Sequence, residues 1–308
     1  MILPIGSVAL ASIQHQNDGV NGVLLQRILT AVFLLVGLLL LSFLANPFVF
    51  ALIIALITLL TGMEWTRLVG LQDLQSKIGY LASLIVLLIG AFFLVGATPT
   101  AESLDALRVT TVMTLGCVFW FVAAVLMTGY PGNANLWNDQ SHIAMMGVFV
   151  LIPTWCGIVQ LKYLDDSGTL FLALVATVSV ADIGAYFAGR AWGKSKLAPT
   201  LSPGKSWAGF WGGMAASVML TILILLVVNN RFVSLSLTQS VLLVFGAVLV
   251  SVSSVAGDLF ESMLKRNRQL KDSGNILPGH GGILDRIDSL TAATPVAVLW
   301  LFLVLGVG

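Results

Sequence analysis

From Leu270 to Leu290 the chain reads LKDSGNILPGHGGILDRIDSL. Asp285 and Asp288 stand three residues apart at the start of an apolar run, which places both on one face if that run is helical. Two adjacent carboxylates repel, and unless one is protonated the pair wants a cation. A hard divalent ion with oxygen ligands suits it, Mg2+ in particular, which binds through one or two carboxylates plus the phosphates of a substrate. Lys271 and Arg286 are suited to phosphate oxygens, as a point charge and as a bidentate fork. Gly279, Gly281 and Gly282 surround His280 and leave backbone N–H groups open to an anion. Together these residue types fit phosphoryl or nucleotidyl transfer.

Upstream stretches extend the inventory. In SSVAGDLFESMLKR, Asp258, Glu261, Ser262 and Lys265 fall at i, i+3, i+4 and i+7, one polar stripe on an otherwise apolar helix, followed by Arg266. Asp182, within VSVADIGAYFAGR, lies roughly 10 Å below the end of its helix at 1.5 Å per residue. A carboxylate at that depth must face protein or water. Ser202 and Lys205 in SPGKS could touch phosphate, but a P-loop is excluded: Pro199 occupies the place of its first glycine, and no strand is expected before it. Each piece has a plainer reading. Asp285 and Asp288 could cap a helix, the basic cluster could face lipid headgroups, and Asp182 could bond a neighbouring helix.

The elements that must carry these residues are set by composition. Of 308 residues, 58% are hydrophobic and 9% charged, with a mean hydropathy of +0.99, far beyond what a water-soluble core requires. The expected fold is an all-α polytopic membrane protein. Spans of ~20 apolar residues place nine helices near 27–45, 48–64, 78–96, 108–128, 143–162, 169–189, 208–230, 240–262 and 289–306. The polar stretch IQHQNDGVNG before the first argues against a cleaved signal peptide. The first five helices, residues 1–168, form one region, and residues 169–308 form the catalytic one. Gly209 and Gly213 in AGFWGGMAAS read as a close helix contact. Cys117 and Cys156 lie in apolar runs and read as packing residues. A net charge of +1 argues against a nucleic-acid partner.

Nine spans divide the 15 Lys and Arg residues twelve to three, the twelve sharing a side with the N-terminus and with loops 190–207 and 263–288. The positive-inside rule makes that side cytoplasmic. The expected setting is a bacterial inner membrane with the chemistry facing the cytoplasm.

The run SMLKRNRQLKDSGNILPGHGGILDRIDS closely resembles the signature of the phosphatidate cytidylyltransferase (CDP-diacylglycerol synthase) family: Ser, a basic pair, Lys-Asp, then His-Gly-Gly followed by Asp-Arg and Asp. Ser262, Lys265, Arg266, Lys271, Asp272, Pro278, His280, Gly281, Gly282, Asp285, Arg286 and Asp288 fall on it. The resemblance continues through ADIGAYFAGRAWGKSKLAPTLSPGKSW and, more faintly, through YPG at 130–132 and MEW at 63–65. Ala208 stands where a polar residue is often found. The resemblance implies transfer of CMP from CTP to phosphatidic acid with release of pyrophosphate, a requirement for Mg2+, and a homodimer. On this reading Asp258 and Asp285 supply metal ligands and Asp182 serves a second cation or pairs with a base. Asp288 supports the metal, and Lys205, Lys265, Arg266, Lys271 and Arg286 hold phosphates, with Ser202, Ser262, Asp272, His280, Gly281 and Gly282 completing the site.

Two other classes remain to be separated from this one. A secondary transporter would show inverted repeats and ionisable residues near the bilayer midplane. A CTP-using lipid kinase would share the phosphate chemistry but release CDP instead of pyrophosphate.

Overall fold

The computed structural model describes residues 26–231 and 235–306. Among them nine helices are long and apolar enough to cross a membrane. They are α1 (Gln26–Leu44), α2 (Pro47–Val69), α3 (Leu74–Val95), α4 (Ala106–Thr128), α5 (Gln140–Leu164), α6 (Thr169–Trp192), α7 (Trp207–Arg231), α8 (Leu237–Asn267) and α9 (Leu284–Leu305). The polar segment at 13–22 lies outside the described residues. The all-α expectation holds with one addition: β1 (Lys196–Ala198) and β2 (Ser202–Ser206) pair antiparallel between α6 and α7. SPGKS is itself a strand, which leads directly into a helix.

Most helix starts follow from short polar residues. Asn46, Asp73, Asp105 and Asp139 each accept a backbone N–H three residues on, and Ser236 with Gln239 forms a capping box. The helix α9 is different. Its preceding residue, Ile283, has helical dihedrals and no side-chain cap, so its first N–H groups need partners from elsewhere.

In hydrocarbon a freed backbone carbonyl must find a donor inside the protein. Pro295 removes the N–H that would bond the Thr291 carbonyl one turn earlier. That oxygen instead accepts from Trp120 Nε1 at 3.1 Å and Thr154 Oγ1 at 3.3 Å, which ties α9 to α4 and α5. Gly116 faces the same place, where a Cβ would stand 3.0 Å from Pro153 and 3.3 Å from Pro295. The core centres on α5, whose Trp155 is fully buried and bonds the Ala51 carbonyl of α2. Beside this body α6 and α7 pack backbone to backbone. A Cβ on Gly209 would meet the Ala185 carbonyl at 2.8 Å, and one on Gly213 the Ala181 carbonyl at 2.7 Å, as the small-residue spacing predicts.

Several helices run past the limits set by hydropathy alone. The α8 helix continues to Asn267 and α9 begins at Leu284, because their polar first and last turns face protein instead of lipid. Asp285 therefore lies in the first turn of α9 and Lys265 and Arg266 in the last turn of α8, at the same end of the bundle. The opposite end has its own polar lock. Lys162, fully buried, donates to the Ser42 carbonyl at 2.7 Å and to the Asp166 carbonyl.

Candidate active site

The end of the bundle that carries Lys265 and Asp285 is organised by carboxylates that accept backbone N–H groups. Asp285 accepts from Gly282 N at 2.8 Å and from Ser273 N at 3.0 Å, and its other oxygen takes Lys265 Nζ at 2.7 Å. Lys265 also donates to Glu261 Oε2 at 2.6 Å, one turn back on α8. The missing cap of α9 arrives from α2: Glu64, 3% exposed, accepts from Ile283 N at 3.0 Å and Leu284 N at 2.8 Å. Gly274 and Gly282 pack on that carboxylate, where a Cβ would come within 2.1 Å and 2.7 Å of its oxygens. Glycine is required there by close approach.

The loop between α8 and α9 is fixed on both sides. Arg268 donates to the carbonyls of Leu68, Val69 and Asn138, and Arg67 to that of Ser273. Leu277 and Gly281 form an isolated β-bridge around a tight turn, with Gly279 and Gly281 at φ of 72° and 82°, a region that favours glycine. Arg286 holds the turn from outside by donating to the His280 carbonyl through Nε at 3.1 Å and Nη2 at 2.6 Å. His280 Nδ1 is buried without a hydrogen-bond partner. Arg266, Lys271 and Asp272 are exposed, and a Cβ on Gly281 would stand 3.6 Å from that of Asp272.

A second centre lies under the hairpin. A cavity of about 420 Å³ is bounded by α6, α7, α8 and β2, with Asp182, Lys205 and Asp258 on its walls. Lys205 Nζ stands 2.6 Å from Asp258 Oδ2, and Asp182 is within electrostatic reach of both. Ser262 donates to Asp258 Oδ1 at 3.3 Å, which completes the polar stripe expected on α8. Ser206 ends β2 and accepts Gly209 N at 3.1 Å, turning the chain into α7. Ser202 sits half-buried at the far end of that strand, away from the cavity.

The two centres meet at Asp288. A Cβ on Gly257 would stand 2.3 Å from the Asp288 carbonyl, so α8 and α9 touch backbone to backbone there. This brings Asp288 into electrostatic reach of Asp258 and Glu261. The result is a continuous line of ionisable side chains across α6, β2, α8 and α9, running Asp182, Lys205, Asp258, Asp288, Glu261, Lys265, Asp285, in which a lysine stands on either side of three adjoining carboxyls.

The three carboxylates expected to bind metal are not gathered as one set. Asp182 and Asp258 share the cavity, while Asp285 lies beyond Lys265, its oxygens occupied by an ammonium and backbone N–H groups. Asp285 and Asp288 likewise face different neighbours. Among the described residues no group of three or more His, Cys, Asp or Glu is arranged to hold a metal ion. The pair Asp258 and Asp288 is nevertheless compatible with Mg2+ whose remaining ligands are phosphate and water. Beside it Glu261 Oε1 is buried without a hydrogen-bond partner, a carboxyl oxygen of the kind a cation would satisfy.

Glu64 and Glu261 are the functional candidates that reading residue types left out of the site. Glu261 lay on the recognised stripe. Glu64 had only the faint MEW resemblance, since its partners are backbone N–H groups with no signature of their own.

The profile of the "Cytidylyltransferase family" matches residues 25–304. A phosphatidate cytidylyltransferase of Pseudomonas aeruginosa is 42% identical over 277 residues, covering 89% of this chain and 96% of that protein. One from Haemophilus influenzae is 38% identical, with 91% and 99% covered. One from Mycobacterium bovis is 32% identical, with 88% and 85% covered.

Proposed function

The chain belongs to the cytidylyltransferase family, and from that premise we propose that it is a CTP:phosphatidate cytidylyltransferase of phospholipid synthesis. It transfers CMP from CTP to phosphatidic acid, giving CDP-diacylglycerol and pyrophosphate. A phosphate oxygen of phosphatidate forms the new bond to the α-phosphorus of CTP. The bond from that phosphorus to the bridging oxygen of the β-phosphate breaks, and its electrons leave with pyrophosphate. Such a step asks little covalent work of the protein beyond alignment and charge neutralisation.

The observation that carries this reading is the continuous line of ionisable groups from Asp182 in the cavity to Asp285 under the glycine turn, with Lys205 and Lys265 on either side of the adjoining carboxyls Asp258, Asp288 and Glu261. Phosphates brought against it meet cations already oriented by carboxylates, so little reorganisation is needed during reaction. Lys205 is placed to exchange Asp258 for a phosphate oxygen. Lys265, clamped between Glu261 and Asp285, keeps a fixed charge beneath the loop. Arg266, Lys271 and Arg286 are the exposed cations that receive the triphosphate, and the missing side chain of Gly281 lets it approach the turn closely, while the Gly282 N–H stays committed to Asp285.

Asp258 and Asp288 would hold Mg2+, which when bound neutralises charge developing on the phosphates. Asp182 faces Lys205 and keeps that ammonium in the cavity, which supports its pairing role over a second-cation role. The active site faces the cytoplasm of a bacterial inner membrane, supported by the collection of basic residues at this end of the helices. The working assembly is a homodimer, to be checked by light scattering of the detergent-solubilised protein.

The deciding experiment supplies membranes containing the protein with phosphatidate and CTP labelled at the α-phosphorus, then extracts lipid. Label in the lipid is the expected result. Label confined to water-soluble CDP would identify a kinase and sink the proposal.

A further inference from the structure

Asp182, Tyr186 and Arg190 recur every four residues on α6 and all line the same cavity, a stripe about 12 Å long at 1.5 Å per residue. Asp182 marks its deep end and Arg190 its mouth. The two ends differ in their partners. At depth Lys205 is neutralised by Asp258. At the mouth the Arg190 guanidinium donates to Tyr186 Oη at 3.2 Å, and no carboxylate pairs with it among the described residues. This leaves an Arg with most of its donors uncommitted, on the rim of a cavity whose floor performs phosphate chemistry.

The rim is open to the side. Tyr186 is 58% exposed although it lines the cavity, and its neighbours on the outer surface of α6, Ile183 and Phe187, are 55% and 64% exposed. At the same end Trp192, Trp207 and Trp211 are exposed around the hairpin, the residue type that settles at the level of lipid headgroups. Arg190 therefore lies where an amphiphile in the bilayer would bring its phosphate.

We propose that Arg190 and Tyr186 form the entry site for the phosphate of the lipid substrate, at a lateral mouth of the cavity between bilayer and hairpin. This rests on the proposed transferase reading and deepens it. A phosphate monoester offers several oxygens in the plane that a guanidinium fork accepts. Tyr186 Oη accepts from Arg190, so its own hydrogen remains free to donate to a further oxygen. A triphosphate also presents such oxygens, but it approaches from water, where Arg266, Lys271 and Arg286 stand exposed. The apolar surroundings of Arg190 favour the lipid.

The test uses the full chain in mixed micelles, varying phosphatidate at fixed CTP and the reverse. Loss of charge-assisted bonds in Arg190→Gln is expected to raise KM for phosphatidate about ten- to hundred-fold, with KM for CTP moving less than about threefold. Arg190→Lys should recover part of the loss, since it restores charge without the fork. Tyr186→Phe should raise KM for phosphatidate by about threefold or more. A rise confined to CTP, or no change in either KM, overturns the assignment. An independent readout is retention of labelled phosphatidate over phosphatidylcholine by the purified protein, expected in wild type and lost in Arg190→Gln. Retention that depends on Arg190 without any cytidylyl transfer would remove the transferase reading and keep this site. Transfer with retention indifferent to Arg190 would do the opposite.

Discussion

The carboxylate of Glu64 accepts the backbone N–H of Leu284 at 2.8 Å across 220 residues of sequence. It does for α9 what Asn46, Asp73 and Asp105 do locally for their own helices. Glu64→Gln keeps the shape but turns an amide N–H toward donors. It should cost about 1–3 kcal/mol through unsatisfied buried groups and displace the glycine turn. Lowered thermal stability in detergent together with lowered turnover is expected. Full activity with an unchanged melting temperature would show that Glu64 does not position α9.

This relationship marks the limit of what the sequence disclosed. The spans were legible because lipid demands long apolar runs, and the stripe from Asp258 to Lys265 because helical spacing is a local property. Glu64 was hidden: one acidic residue near the end of an apolar helix looks like any membrane-edge residue, and backbone partners leave no trace in residue identity. The hairpin was hidden as well, since strands of three and five residues carry no alternating pattern. Asp285 and Asp288 could be paired by spacing, yet their separation by neighbours depends on the Gly257 contact between α8 and α9.

Lys265 and Asp285 are 14% and 9% exposed at the side chain. Breaking such a pair from one side leaves an uncompensated charge. Lys265→Met should therefore destabilise by about 3–5 kcal/mol, while Asp285→Asn should remove most turnover without preventing membrane insertion. In a double-mutant cycle the combined loss of stability should fall short of the sum. Strict additivity, read by thermal denaturation, would mean that the two do not act together.

Lys205 occupies Asp258 as a cation would. Chelation of divalent ions should abolish activity and Mg2+ restore it. Asp258→Asn should raise the Mg2+ concentration for half-maximal rate by about tenfold or more, the loss of one direct ligand. Lys205→Ala should lower that concentration even as turnover drops, because a competitor for the carboxylate is gone. A Mg2+ titration unchanged in both variants would show that Asp258 does not bind the metal.

The contact of α6 with α7 sets the width of the cavity. A Cβ at Gly212 would stand 2.2 Å from that of Ala188, so Gly212→Ala must push the helices apart. The cost should be about 1–3 kcal/mol, with KM for phosphatidate rising as the Arg190 stripe moves from the hairpin. A variant as stable and active as wild type would show that the helices separate freely there.

Orientation follows from which ends share a side. Arg268 bonds the end of α2 and the segment before α5, which places them with the loop between α8 and α9, whereas Lys162 joins the last turn of α1 to the α5–α6 turn at the opposite end. On the proposed orientation the bias of basic residues puts the first group in the cytoplasm. A reporter active only in the cytoplasm should therefore work when inserted between Val69 and Leu74. It should fail when inserted at Ser167 or fused after Gly308, and a reporter active only outside should give the reverse pattern. Cytoplasmic activity at Ser167 would invert the assignment and put the phosphate chemistry on the wrong face for a cytosolic nucleotide.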